Sequence, residues 1–313
     1  MNWRRKAQIQ NVVAALPLSN AIYFALQRTC GSLRRGRTSP REWLQAAAQL
    51  VAWAEGAGRS VVGARFLEVG TGRNVNIPLA LWLWGARAVT TVDLNPYLSR
   101  TLVFESLAYL RTHEAEVAQL FGARAAPEEF RARFAQLRSF SGDLKSLLRL
   151  TNIEYLAAAD AGALPLPDHS FDFHISHAVF EHIPAASITR ILNEARRLLA
   201  PGGLLLHVID PSDHFAHDDP TITAVNFLQF DERAWQRLAG NQFMYHNRLR
   251  SFEYLDLFAG AGVRVLRKAE TLDEPSLRAL RDGFPLQQQF RHIAPEALAV
   301  RSLNVLGTFR EGS

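Results

Sequence analysis

The spacing of apolar residues changes along the chain, and each change predicts a different element. Up to about residue 60, apolar positions recur at helical intervals. Ile9, Val12, Val13 and Leu16 form one stripe and predict an amphipathic helix packed on the body. Trp43, Leu44, Ala47, Leu50, Val51 and Trp53 form another, with Pro40 where a first helical turn accommodates it and Gly56 and Gly58 at its end. The pattern then shortens. Residues 65–69 are a mostly apolar run that reads as a buried strand entering the turn Gly70-Thr71-Gly72. Residues 78–84 predict a short helix stopped by Gly85, and the β-branched run 88–92 predicts a second strand ending at Asp93. Residues 65–93 therefore make one βαβ unit, the size a right-handed crossover needs.

Beyond it, Leu102, Leu107, Leu110, Val117, Leu120 and Phe121 predict one helix. Phe130, Phe134, Leu137, Leu144, Leu147 and Leu148 predict further helix. This is too much chain for one crossover, so 96–150 reads as a helical insertion able to cover a site. Strands follow at 153–158, ending near Asp160, and at 171–176. A helical stripe (Ile188, Ile191, Leu192, Ala195, Leu198, Leu199) leads through Pro201-Gly202-Gly203 into strand 204–209. After a polar stretch come helix 251–259, strand 263–269 and a last strand near 297–309. Such alternation predicts an α/β sheet covered by helices on both faces.

Composition narrows the class. The 313 residues are 48% apolar and 21% charged, ordinary for a globular protein and unlike a disordered tail, coiled coil or collagen-like fibre. The sole cysteine, Cys30, rules out an intrachain disulfide and a cysteine-rich zinc site, and a reducing cytoplasm is the expected location. The net charge of +5 suggests nucleic acid at first sight. Only three of the 35 basic residues are lysines, and the arginines are scattered, with small pairs at Arg4-Arg5 and Arg34-Arg35. The clustered footprint of a nucleic-acid binder is missing, so no nucleic-acid partner is expected. The basic N-terminus imitates a signal peptide, but Gln8, Gln10, Asn11 and Pro17 interrupt the apolar stretch. No segment approaches the ~18 uninterrupted apolar residues of a membrane span, although basic residues beside an apolar face leave room for a peripheral membrane contact.

The chemistry gathers at predicted strand ends. In Glu68-Val69-Gly70-Thr71-Gly72-Arg73-Asn74, small residues after a strand let the backbone approach a ligand closely. By itself this glycine pair could be an ordinary turn. Asp93 ends the second strand 21 residues beyond Gly72, where a carboxylate can accept bonds from ribose hydroxyls. That pairing suits both nicotinamide and S-adenosylmethionine folds.

Further motifs separate the two. Leu67-Glu68-Val69-Gly70-Thr71-Gly72, Val92-Asp93, Ala159-Asp160-Ala161 with Leu164-Pro165-Leu166, Phe171-Asp172 with 176–183, and 199–204 occur in order. Together they resemble the motifs of class I S-adenosylmethionine-dependent methyltransferases of the type 11 kind, over roughly residues 60–270. The resemblance implies a Rossmann-like, doubly wound, seven-stranded sheet over 61–313, with a helical N-terminal extension (1–60), the helical insertion 96–150 and a loop and helical insertion at 210–250. It implies S-adenosyl-L-methionine as cofactor. Glu68 would lie near its amino-acid end, and Gly70, Thr71, Gly72 and Asn74 would shape the turn beside methionine and ribose. Asp93 would take the ribose hydroxyls, Leu94 and Asp160 would meet the adenine, Ala161 would offer a backbone contact, and Ser176 and His177 would line the path to the substrate. One departure is that Arg73-Asn74 stands where family members often carry a third glycine. A narrower resemblance, through 207–230 and Tyr245-His246-Asn247-Arg248-Leu249, is to bacterial methyltransferases of sugar, polysaccharide or secondary-metabolite biosynthesis. It implies a small-molecule or glycan acceptor methylated on oxygen or nitrogen.

Seven of the ten histidines lie between residues 169 and 217. Asp210, Asp213, His214, His217, Asp218 and Asp219 crowd the loop after strand 204–209. Three readings stand: a general base, a divalent metal site, or a solvated polar loop. His214, His177 and Asp213 are the catalytic candidates. No tight ligand spacing appears, so no residue is assigned to a metal. His182 suits a loop-holding role as well as a chemical one. Competing functions are a methyltransferase acting on RNA or protein, a nicotinamide-dependent oxidoreductase, whose fingerprint is incomplete because Val75 stands where the last glycine belongs, and a non-enzymatic cofactor-binding scaffold.

Overall fold

The computed structural model describes residues 1–34, 38–122 and 127–310; Arg35, half of one basic pair, lies outside them. The chain folds as α/β around one seven-stranded sheet. Its strands are β1 (Arg65–Val69), β2 (Ala88–Asp93), β3 (Ile153–Ala157), β4 (Phe171–His177), β5 (Leu199–Ile209), β6 (Val263–Leu272) and β7 (Val300–Phe309), in the order β3-β2-β1-β4-β5-β7-β6. The first five run parallel, and β7 lies antiparallel between β5 and β6. An antiparallel strand inserted there departs from the 3-2-1-4-5-6 order of dinucleotide-binding sheets. The first five strands keep that order, and the antiparallel β7 is what sets this sheet apart.

Hydrophobicity explains the layers. Central strands β1 and β2 are buried along nearly their whole length, as parallel strands covered on both faces must be. Edge strand β6 is mostly exposed and carries Arg264, Arg267, Lys268 and Glu270, charges that discourage edge-to-edge pairing. On one face, α3 (Arg41–Gly56) and α4 (Asn76–Leu83) pack over stacked Phe66 and Phe173, whose rings lie 4.6 Å apart. All eight residues of α4 are buried, consistent with its apolar sequence. The chain between β2 and β3 adds α5 (Arg100–Thr112), α6 (Glu114–Phe121), α7 (Pro127–Ser139) and α8 (Leu144–Leu150) to this layer. On the other face lie α9 (Ala185–Leu198) and α11 (Ser251–Gly260). A third cluster joins α1 (Trp3–Ala14) to the segment after β5, with α10 (Glu232–Ala239), α12 (Glu274–Arg281) and α13 (Pro295–Leu298).

Three local expectations are corrected. The run 102–121 is two helices rather than one: the chain leaves helical geometry at His113, and Glu114 and Glu116 favour a fresh helix N-terminus. Strand β5 begins five residues before 204, so Pro201-Gly202-Gly203 lie within it, beside a register shift against β4. The predicted stripe of α1 does not pack as a unit. Val13 is buried, but Ile9, Val12 and Leu16 are 45%, 64% and 44% exposed. Trp3, Ala7, Gln10 and Val13 face inward instead, because the Trp3 indole seats against Phe215 and Phe230 at 5.6 and 5.8 Å and sets the helix rotation. No helix of the described residues is long and apolar enough to cross a membrane.

Candidate active site

Parallel strands deliver their C-terminal ends to one edge, where open α/β sheets bind ligands. There β1 ends in the turn Gly70-Thr71-Gly72, and α4 follows. Gly70 and Gly72 have φ values of 90° and 62°, conformations that glycine adopts at little cost. A Cβ on Gly70 would collide with the Val179 side chain, so the turn is pressed against the loop after β4. A Cβ on Gly72 would meet nothing within 4 Å, so the backbone there borders open space.

Asp93 staples this turn. Its Oδ2 accepts from the Gly72 amide and its Oδ1 from the Asn95 amide, both at 2.9 Å. The Gly70 amide donates to the Val92 carbonyl at 2.8 Å. Partial burial raises the Asp93 carboxyl, and the two amides partly offset this. Leu94, next along, is 68% exposed and free to cover a flat apolar ligand. The Ala159 amide donates to the Asp93 carbonyl at 3.2 Å, which brings Asp160 and Ala161 alongside.

Other assigned residues serve the frame. Glu68 is buried and accepts from Thr91 Oγ1 at 2.5 Å, while Thr71 and Thr91 hydroxyls lie 2.7 Å apart. Both side chains thus brace the turn from beneath. Burial pushes the Glu68 carboxyl up to about 8; the Thr91 bond opposes the shift and the Asp93 charge adds to it. Asn74 accepts from the Asn76 amide at 3.1 Å and starts α4. Arg73, in place of the third glycine, lies under Phe24 of α2 (Ser19–Thr29) and over Tyr97, at 4.6 and 5.2 Å. That cation–π contact anchors an N-terminal helix above the turn. Asp160 accepts from Gly162 at 2.9 Å and from Arg190 at 2.8 Å, and these bonds hold its carboxyl below the ordinary range. One lone pair on each oxygen is thereby engaged, and the side chain stays 42% exposed.

The acceptor side lies beyond β4 and β5. His177 ends β4 beside Val208, and burial lowers its imidazole. Ala178 then turns the chain with a left-handed φ of 53°, a strained conformation for a residue with a side chain. Ser176 is buried, with its hydroxyl 2.7 Å from His207 Nδ1. Asp213 is fully buried and accepts from the Phe215 amide and from Asn226, both at 2.9 Å, capping a short 3-10 turn. Burial pushes it up to about 6.

His214 does reach the edge. Its Nε2 and that of His217 lie 3.3 and 3.4 Å from Asp210 Oδ2. Burial alone would raise the Asp210 carboxyl; His214, His217 and Ser212 outweigh it and hold the group below the usual carboxylate range. The structure adds two residues that were not assigned. His246, ahead of α11, packs 4.0 Å from the His214 ring, and Glu181 is buried beside them with neither oxygen hydrogen-bonded among the described residues. Glu181 sat in the quoted motif 176–183 and His246 in Tyr245-His246-Asn247, so both were visible, but only folding unites them. A set of histidines able to hold a metal is thus present where none was assigned.

A methyltransferase-domain family matches residues 128–207, from α7 into β5. No curated protein matches the chain. Among solved structures, it is similar to an S-adenosylmethionine-dependent methyltransferase from Methanosarcina mazei, at 19% identity over 79% of this chain and 92% of that one, with a TM-score of 0.41. A second, from Mesorhizobium loti, shares 15% identity over 84% and 99%, with a TM-score of 0.43. A third, geranyl diphosphate methyltransferase in complex with S-adenosylmethionine, shares 12% identity over 85% of each chain, with a TM-score of 0.45. Likenesses this distant say nothing about substrate. Residues 128–207 thus match a methyltransferase domain, and the glycine turn and the rest of the mixed sheet lie outside that segment.

Proposed function

We propose that the protein transfers a methyl group from S-adenosyl-L-methionine to a hydroxyl or amine of a small-molecule or glycan acceptor. The observation that carries this reading is the stapled turn: Gly70-Thr71-Gly72 fixed by both oxygens of Asp93, with open space at Gly72. The residues present fit such a cofactor. Asp93 retains lone pairs for ribose hydroxyls, and exposed Leu94 supplies an apolar surface for a base. The cofactor supplies an already electrophilic methyl group. The protein's part is to hold acceptor and methyl in line and to exclude water. His177, which ends β4, and His214, in the loop after β5, are the candidates for taking a proton on the acceptor side. A roof of α2 over Arg73 supports a small acceptor over a polymer. Calorimetric titration with S-adenosylhomocysteine and with NAD tests the proposal. Binding of the first alone is expected; binding of NAD alone overturns it.

A further inference from the structure

Three histidines from distant parts of the chain converge at this edge. His182 follows β4, His214 follows β5, and His246 precedes α11. The His214 ring lies 4.0 Å from that of His246 and 5.0 Å from that of His182, and His182 and His246 are 4.6 Å apart. One ring nitrogen from each falls within 4.8 Å of the others.

Two observations separate this from a solvated polar loop. First, His246 is only 3% exposed, and neither ring nitrogen has a hydrogen-bond partner among the described residues. Leaving a buried polar atom unpaired costs about 1–3 kcal/mol, which asks for a missing partner. His214 Nε2 is also buried and lacks an aligned hydrogen bond. Second, His182 Nδ1 lies 2.9 Å from the Tyr245 carbonyl oxygen. A carbonyl only accepts, so Nδ1 carries the proton and Nε2 keeps its lone pair. Metal-binding histidines are oriented by this kind of bond.

We propose that His182, His214 and His246 bind one divalent transition-metal cation of the zinc class, with Asp210 supplying adjacent negative charge. Imidazole donors suit zinc, cobalt, nickel or copper, and they disfavour magnesium and calcium. Metal–nitrogen bonds of about 2.0–2.1 Å place tetrahedral ligand atoms roughly 3.4 Å apart, so the rings need only modest rotation to close on an ion. Three protein ligands leave a fourth position open. On the methyl-transfer reading, on which this role rests, that position would hold and acidify an acceptor oxygen. Ion binding itself is independent of that reading.

The test is titration of the full chain, freed of metal by a chelator, with Zn²⁺ alone and with Co²⁺ alone. One ion per chain is expected, with the visible bands of tetrahedral, nitrogen-bound cobalt. His246→Ala and His214→Ala should each weaken Zn²⁺ binding more than about 100-fold, beyond the cost of losing an outer hydrogen-bond partner. His113→Ala, at an exposed histidine outside the cluster, should leave it unchanged. If an alanine variant does not fold, His246→Gln and the wild-type cobalt spectrum carry the test. Failure of the wild type to bind any stoichiometric ion overturns the proposal, as does unchanged affinity in a folded His246 variant. Binding lost in His217→Ala but kept in His246→Ala places the ion on Asp210, His214 and His217 and overturns the assignment too. S-adenosylhomocysteine titrated into the same preparations separates the two readings: its binding without Zn²⁺ binding refutes only the metal site, and the converse refutes only methyl transfer.

Discussion

Asp93 does two jobs with one carboxylate. Each oxygen caps a backbone amide, and the remaining lone pairs face the edge of the sheet. Asp93→Ala should therefore weaken S-adenosylhomocysteine binding by about 1–3 kcal/mol, read by calorimetry, through unpaired hydroxyls and a slackened turn. Unchanged affinity would detach Asp93 from the cofactor. Glu68 affects stability instead. In the unfolded chain its carboxyl ionises near 4.5, whereas in the fold burial keeps it protonated up to about 8. Between these values the unfolded state has released a proton that the native state retains. Stability attributable to this group is thus fully present at low pH, declines as pH rises towards 8, and is level above. Glu68→Gln should abolish that decline. Urea midpoints at about pH 5 and about pH 9 should differ less in the variant than in the wild type, and an equal difference would show that Glu68 does not titrate as described.

At the scale of elements, the turn after β1 is held by contact with the loop after β4. Gly70→Ala would force a side chain into a φ of 90° and drive its Cβ into Val179. A loss of roughly 1–3 kcal/mol is expected, seen as a lower thermal midpoint, with weaker cofactor binding because the turn itself moves. Gly72→Ala meets open space, so its cost should be the smaller, backbone part alone. This contrast also marks what the sequence makes legible. The strands, the glycine turn and Asp93 could be read because each is a local pattern: an apolar run, a small-residue turn, a carboxylate at a strand end. Asp213 could be read as an acid but not as a cap, because its partners Phe215 and Asn226 declare themselves only when the loop closes. The histidine cluster was half legible. Its density near residues 169–217 was plain, but His246 reaches it through a separate loop ahead of α11, and linear spacing carries no sign of that.

Across the whole molecule, the N-terminal helices are part of the site's architecture. Helix α2 lies above the Gly70-Thr71-Gly72 turn through Phe24 and Arg73 and reaches α5 through the Arg28–Glu105 ion pair. Helix α1 is seated in the segment that carries His214, by the Trp3 indole against Phe215 and by the Trp3 amide, which donates to Asp219 at 2.7 Å. The apolar stripe Ile9, Val12 and Leu16 remains outside because this one aromatic anchor outweighs three aliphatic side chains. Trp3→Ala should then cost about 3–5 kcal/mol, as removal of a buried indole does. The loss should be uneven. Amides of α1 and of residues 213–230 should exchange faster together, while those of β1, β2 and β4 stay protected, since sub-global opening follows shared packing. Faster exchange confined to α1 would mean that the helix merely rests on the body. Coupled exchange would mean that the loop bearing His214 and Asp210 keeps its shape only while the first helix is docked, which makes the N-terminal segment a structural condition for whatever chemistry that loop performs.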